Sequence, residues 1–131
     1  MLRKAILCLV YGGALGAAFT LTSSPALSAE EGQVQFNNRC RTCHSVREGD
    51  NRQGPSLHNL IGRKAGSLGD YQLYSQAMRN SGVVWNEENL GKFIASPDTV
   101  IPGNNMKPYA GIDDEAEREQ IVKYLATLRP E

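Results

Sequence analysis

Hydrophobic positions along this chain fall into two regimes. From Ala5 to Leu21 the run "AILCLVYGGALGAAFTL" carries no charge. From Glu30 onward apolar residues are sparse and spaced. Gly32 and Phe36 share one helical face behind the leading acids Glu30 and Glu31, which suit the positive end of a helix dipole. This predicts a first helix over 30–43. The segment 47–70 has no sustained helical period and is broken by glycines and by Gly54-Pro55. So long an unpatterned segment in a compact domain usually serves function, and wrapping a cofactor accounts for it. Ser75 to Asn80 reads as a short helix stopped near Gly82. Asn86 caps a helix to about Ala95, with Leu90, Phe93 and Ile94 on one side and Pro97 ending it. In the last helix Ile121, Tyr124, Leu125 and Leu128 recur at i, i+3, i+4 and i+7. It follows an Asp114-x-x-Glu117 capping box, with Lys123 and Arg129 toward its negative end. No stretch alternates as a strand does. The predicted fold class is all-α with long loops.

The N-terminus obeys different rules. Met1-Leu2-Arg3-Lys4 is a basic head, the apolar run follows, and "TSSPALSA" closes it with small polar residues. That order is a secretory signal peptide. It divides the chain into a cleaved segment 1–29 and a domain 30–131. The alternative is an uncleaved membrane tether, since the apolar run only just reaches spanning length. Three glycines in it and the small-residue exit favour cleavage. Cys8 follows Leu7, too large for a lipidation site, and lies too early.

Cleavage leaves 12 Lys and Arg against 14 Asp and Glu. That balance excludes a nucleic-acid partner, which demands a basic excess. It also leaves only Cys40 and Cys43. A disulfide closing so short a loop constrains the unfolded chain little, so this pair serves chemistry. A small core gains much from a large buried cofactor.

Three chemistries use a C-x-x-C, here Cys40-Arg41-Thr42-Cys43 followed by His44. A structural zinc needs four converging ligands. The only other histidine is His58, and His44 adjoins Cys43 too closely to share one tetrahedron with it. A thiol redox pair wants a helix N-terminus after a strand, and no strand precedes this one. Covalent haem attachment fits. Two sulfurs on one turn reach two vinyl groups along one porphyrin edge, and the next residue carries an imidazole under the ring. Attachment occurs outside the cytoplasm, where the leader directs the chain. A methionine thioether on the other face makes an electron-transfer centre. Met106 lies in "IPGNNMKPYAGI", between Pro102 and Pro108, with a turn at Gly103. It is a better candidate than Met78, whose short helix suggests core filling.

These motifs, in order, carry a resemblance. Gly32 and Phe36, "CRTCH", "GPSLHNLIGRKAG", Trp85, "IPGNNMKPYAGI" and "IVKYLATL" make residues 31–128 resemble a class I cytochrome c, of the mitochondrial and bacterial cytochrome c2 type. The resemblance implies a small fold of three to five helices wrapped around one haem c. Cys40 and Cys43 would bind it, with His44 and Met106 as metal ligands. The Pro55 carbonyl would accept the other imidazole N–H, fixing the ring. Arg63, Tyr74 and Trp85 would hold the propionates. Gly32 and Phe36 would meet Ile121 and Tyr124 of the last helix.

Departures are local. Phe93 stands where the family often has a tyrosine near the methionine sulfur. Asn104-Asn105 replaces a threonine–lysine pair. The chain is one residue short between His44 and Gly54, and gains one near Tyr71–Tyr74 and one between Met106 and Gly111. Charge is uneven: residues 39–107 hold nine basic and six acidic residues, and residues 108–131 hold three and six. A weak positive front would steer the protein toward an acidic partner face. The implied function is a soluble periplasmic monomer shuttling one electron, not an enzyme. A membrane cytochrome complex or dehydrogenase would be donor, and an oxidase or other reductase acceptor, with no stable membrane insertion after cleavage. The alternative is the haem subunit of a periplasmic oxidoreductase complex.

Overall fold

The computed structural model describes residues 25–129, which form five helices. They are α1 (Pro25–Arg39), α2 (Gln76–Asn80), α3 (Glu87–Ala95), α4 (Pro97–Val100) and α5 (Glu115–Thr127). The only pairing of extended backbone among the described residues is an isolated antiparallel bridge between Lys64 and Val84. The all-α fold class holds among the described residues. Most of the proposed leader, residues 1–24, lies outside the described residues.

The frame is the packing of α1 on α5, the first and last elements of the chain. Gly32 makes the approach possible. A Cβ there would lie 2.2 Å from the Gln120 carbonyl oxygen and 2.7 Å from Tyr124 Cβ. One turn on, the Phe36 ring meets Tyr124 with centroids 5.7 Å apart. Ile121, Val122, Tyr124 and Leu125 of α5 are buried, so the predicted stripe faces the core, gains Val122, and leaves Leu128 partly covered. Truncating a fully buried residue such as Ile121 to Ala removes on the order of 2–5 kcal/mol. Helix α3 packs its Leu90, Phe93 and Ile94 inward against the same core.

Several helix ends differ from expectation, each for a local reason. Helix α1 begins at Pro25, inside the predicted leader, and stops at Arg39, short of the predicted end, so Cys40 to Cys43 form a turn. Both Cys40 N and Arg41 N donate to the Phe36 carbonyl, at 2.8 and 3.1 Å, which widens the last turn. Pro97 does not simply end α3. It opens α4, where its missing N–H is no loss. Asp114 caps α5 by accepting from Glu117 N at 2.9 Å, but the reciprocal half of the box is absent. The Glu117 carboxylate turns instead to Arg39 at the end of α1, with bonds of 2.7 and 2.9 Å. Arg129 lies past the end of α5 and pairs with Glu87 of α3 at 3.5 Å. Asn86 behaves as predicted and adds a full box with Asn89.

Candidate haem site

Between the helices lies a cleft of about 1160 Å³, counting the part open to solvent. Its walls are mostly apolar: Leu57, Leu60, Trp85, Leu90, Phe93 and Ile94 contribute. All of the predicted site residues line it: Cys40, Cys43, His44, Pro55, Arg63, Tyr74, Trp85 and Met106. They come from the turn after α1, the irregular segment before α2, the entry to α3, and the loop between α4 and α5.

The turn after α1 sets the first group. Cys43 N and His44 N both donate to the Cys40 carbonyl, at 3.1 and 2.9 Å, which fixes the spacing of the three side chains. The following loop is tied back to them. Gly54 N donates to the Cys43 carbonyl at 2.7 Å, and Leu57 N to the Ser45 carbonyl at 2.8 Å. This brings the Pro55 carbonyl 2.8 Å from His44 Nδ1. With Nδ1–H donating there, Nε2 carries the lone pair, the tautomer a metal ligand needs. His44 is only 8% exposed, and burial holds its pKa below the ordinary histidine range, with Arg63 adding to the effect and the Pro55 bond opposing it. Gly54 is required by contact. A Cβ would lie 2.3 Å from the imidazole Cε1.

Arg63 reaches into the cleft from the irregular segment. It donates to the carbonyls of His58 and Ser56, at 3.0 and 2.8 Å, and has no carboxylate partner among the described residues. Burial lowers its pKa. A half-buried guanidinium without an anion is costly unless the site takes one. Tyr74 lies in the same field: burial raises its pKa and Arg63 opposes the rise.

Met106 is placed by its own loop. Gly103 adopts φ 83° to turn the chain, a conformation that glycine takes without strain. Asn104 is buried, and its Oδ1 accepts from Met106 N at 2.9 Å. Met78 lines the same cleft, so its packing role is at this site rather than in a remote core. Phe93 lies beside Trp85, ring centroids 5.0 Å apart.

Sequence reasoning missed three contributors. Tyr71 is buried, lines the cleft, and donates to the Gln53 carbonyl at 2.6 Å. Gln53 in turn places its Oε1 3.3 Å from Cys43 Sγ. Tyr109 lines the cleft with its hydroxyl spent on the Ile94 carbonyl. All three lie in irregular segments, where no periodicity marks an inward side. For Tyr71 and Tyr109 the available signal was an aromatic residue in an otherwise polar loop, and Gln53 carried none.

The competing readings of Cys40 and Cys43 fit poorly. Among the described residues no three His, Cys, Asp or Glu side chains converge to hold a metal ion alone. Burial, with Cys43 nearby, pushes the Cys40 thiol up to about 12, the opposite of the low-pKa cysteine a thiol redox pair needs. The residues do fit a flat apolar macrocycle with two thioether attachment points, one nitrogen ligand and anionic substituents near Arg63.

Such a cleft defines a small α-helical haem-binding domain. The family model for cytochrome c matches residues 29–129, and the chain belongs to that family. A cytochrome c of Euglena viridis is 39% identical over 101 residues, covering 77% of this chain and 97% of that protein. A cytochrome c2 iso-2 of Magnetospirillum molischianum is 42% identical over 90 residues, 69% of this chain and 91% of that one. A cytochrome c2 of Rhodopila globiformis is 38% identical over 107 residues, 82% and 99% respectively. The chain carries one haem c, attached through Cys40 and Cys43. It is an electron carrier that works with redox partners, and is not an enzyme. Among the described residues no helix is long and apolar enough to cross a membrane.

Proposed function

We propose that the chain is an exported, periplasmic, soluble monomer shuttling one electron, with His44 and Met106 as the residues that would ligate its iron. The observation that carries the ligand reading is the His44 Nδ1 to Pro55 bond of 2.8 Å, which commits the imidazole to its metal-binding tautomer. Met106 lines the same cleft from a loop held by Asn104.

The haem supplies a one-electron ferric–ferrous couple when bound. The residues do the rest. Cys40 and Cys43 lock the edge of the ring to the turn after α1. Pro55 holds the His44 ring in one orientation, and Gly54 leaves it room. A thioether on the second face is a soft ligand that raises the potential. Leu60, Leu90, Phe93 and Ile94 keep water off the ring, which stabilises the less charged ferrous site. Arg63 would offset the charge of the propionates, and Tyr74 and Trp85 would donate hydrogen bonds to them. His44, held by Pro55, and Met106, held by the Asn104 loop, would keep the site fixed between the two states, so that little rearrangement would accompany transfer.

Export rests on the basic head, the uncharged run Ala5 to Leu21 and the small-residue exit before Glu30. A free carrier fits a surface on which the exposed large hydrophobics among the described residues are Val34, Leu73 and Val84. A permanent subunit interface is usually larger and more apolar. A membrane cytochrome complex or dehydrogenase as donor and an oxidase or other reductase as acceptor complete the reading.

The test is an optical spectrum of protein made with a periplasmic haem-attachment system. Haem retained through acid–acetone extraction, with the weak far-red methionine–iron band in the oxidised form, is the expected result. Absence of that band removes Met106 from the iron. The mass of the purified chain reports cleavage near Ala29, and a second subunit co-purifying from the host overturns the free carrier.

A further inference from the structure

The loop that presents Met106 is closed by a small polar device. Asn104 is 4% exposed, yet each polar end of its amide is used. Its Nδ2 donates to Asp98 Oδ1 and to the Ile101 carbonyl, both at 2.9 Å. Its Oδ1 accepts from Met106 N at 2.9 Å. One side chain therefore ties α4, the turn at Pro102-Gly103 and the Met106 backbone together. Asp98 works with both hands, since its other oxygen, Oδ2, takes the Lys107 ammonium. The two residues flanking the Asn105-Met106 pair are thus anchored to a single carboxylate on α4. A further bond, Asn105 Nδ2 to the Leu73 carbonyl at 3.2 Å, fastens the loop to the segment before α2.

We infer that Asn104, backed by Asp98, is the positioning residue that latches the Met106 loop over the cleft and sets how fast an outside ligand reaches the iron face that Met106 covers. The inference rests on Met106 being a ligand. A buried amide with its donors and acceptor paired is stable closed and expensive half open, because opening strands at least one group. The latch is therefore closer to two-state than graded. The loop opens as one unit when the Asp98–Asn104 bond fails.

The experiment measures imidazole binding to the ferric, haem-loaded protein by stopped flow, with the far-red band as the signal for Met106 leaving. Variants are Asn104→Ala, Asp98→Ala, Asp98→Asn and Lys107→Met. Asp98→Ala removes the acceptor for Asn104, and should speed association by about tenfold, equivalent to about 1.4 kcal/mol. Asp98→Asn keeps an acceptor oxygen while losing the Lys107 ion pair, so it should stay near the native rate. Lys107→Met should do the same, because an exposed pair contributes little. Should Asn104→Ala fail to fold, Asp98→Ala still decides, being a surface change. A merely structural role would speed hydrogen exchange at Met106 and at Ile121 alike, whereas a latch speeds Met106 alone. A native far-red band with an unchanged rate in Asp98→Ala overturns the latch and leaves Met106 as ligand. A native protein without the band overturns both.

Discussion

Helix α1 can cross α5 only because residue 32 has no side chain, and this can be tested with two glycines of opposite sign. In Gly32→Ala the new Cβ falls 2.2 Å from the Gln120 carbonyl oxygen and 2.7 Å from Tyr124 Cβ. Carbon–oxygen contacts settle near 3.3–3.6 Å, so the helices must part by roughly 1 Å at the crossing. A gap of that size forfeits about a quarter to a half of the local dispersion attraction. Overpacking of this kind costs about 1–3 kcal/mol. A Cβ only 2.2 Å from a backbone oxygen belongs at the upper end of that range, about 2–3 kcal/mol; the better helix propensity of Ala returns about 0.8–1.0 kcal/mol, so the crossing term should win by about 1–2 kcal/mol. Gly91, in the middle of α3, has nothing within 4 Å of its would-be Cβ. There only the propensity gain operates, and Gly91→Ala should stabilise by about 0.5–1 kcal/mol. Guanidinium unfolding of the haem-loaded protein, followed by Trp85 fluorescence, gives both values. Each kcal/mol should move Tm by about 4–8 °C for a domain of this size. A Gly32→Ala variant as stable as the native protein would refute the close-crossing argument. A Gly91→Ala variant losing as much as Gly32→Ala would show that the glycines act by something other than space.

Three further outcomes follow from the cleft. Replacing Met106 with Ala should abolish the far-red band, lower the midpoint potential and let imidazole bind without a preceding loop-opening step, all read by spectroelectrochemistry and stopped flow. Arg63→Gln should lower the potential, since removing a positive charge near the propionates favours the ferric state, and should cost about 1–3 kcal/mol through the carbonyls of His58 and Ser56 left short of a donor; Arg63→Lys should preserve more of the potential than of the stability. Burial raises the Tyr109 pKa, so the unfolded chain loses this proton first as pH climbs. The contribution is whole below about pH 10 and declines above it, toward the higher folded value. A Tm-against-pH series should fall less steeply there in Tyr109→Phe than in the native protein.

What the sequence made legible, and what it did not, divides along physical lines. The stripe Ile121, Tyr124, Leu125 was readable because a helix face repeats, and the Asn86 cap because side-chain capping is local. The attachment segment was readable because covalent chemistry fixes residue types at fixed spacing. The end of α1 was not, since its termination at Arg39 depends on two amides sharing the Phe36 carbonyl. Nor was the fate of Glu117, whose partner Arg39 is 78 positions away. Tyr71, Gln53 and Tyr109 escaped for the same reason: irregular backbone has no period from which to read a direction. The placement of Asn104 was invisible too, because its pairing with Asp98 requires the α4 turn, itself unforeseen.

The pairing of α1 with α5 also governs when this molecule can come into being. Arg39 waits for Glu117 and Glu31 for Gln120, contacts spanning 78 and 89 positions of chain. Synthesis at about 5–20 residues per second leaves the first helix without its partner for several seconds. During that interval Phe36 lacks Tyr124, the ring it packs against. Closing so long a loop is slow but adds little entropy beyond a loop half its length. Folding is therefore a terminal event, decided by the last few turns made. Any truncation inside α5 removes the clasp for everything before it.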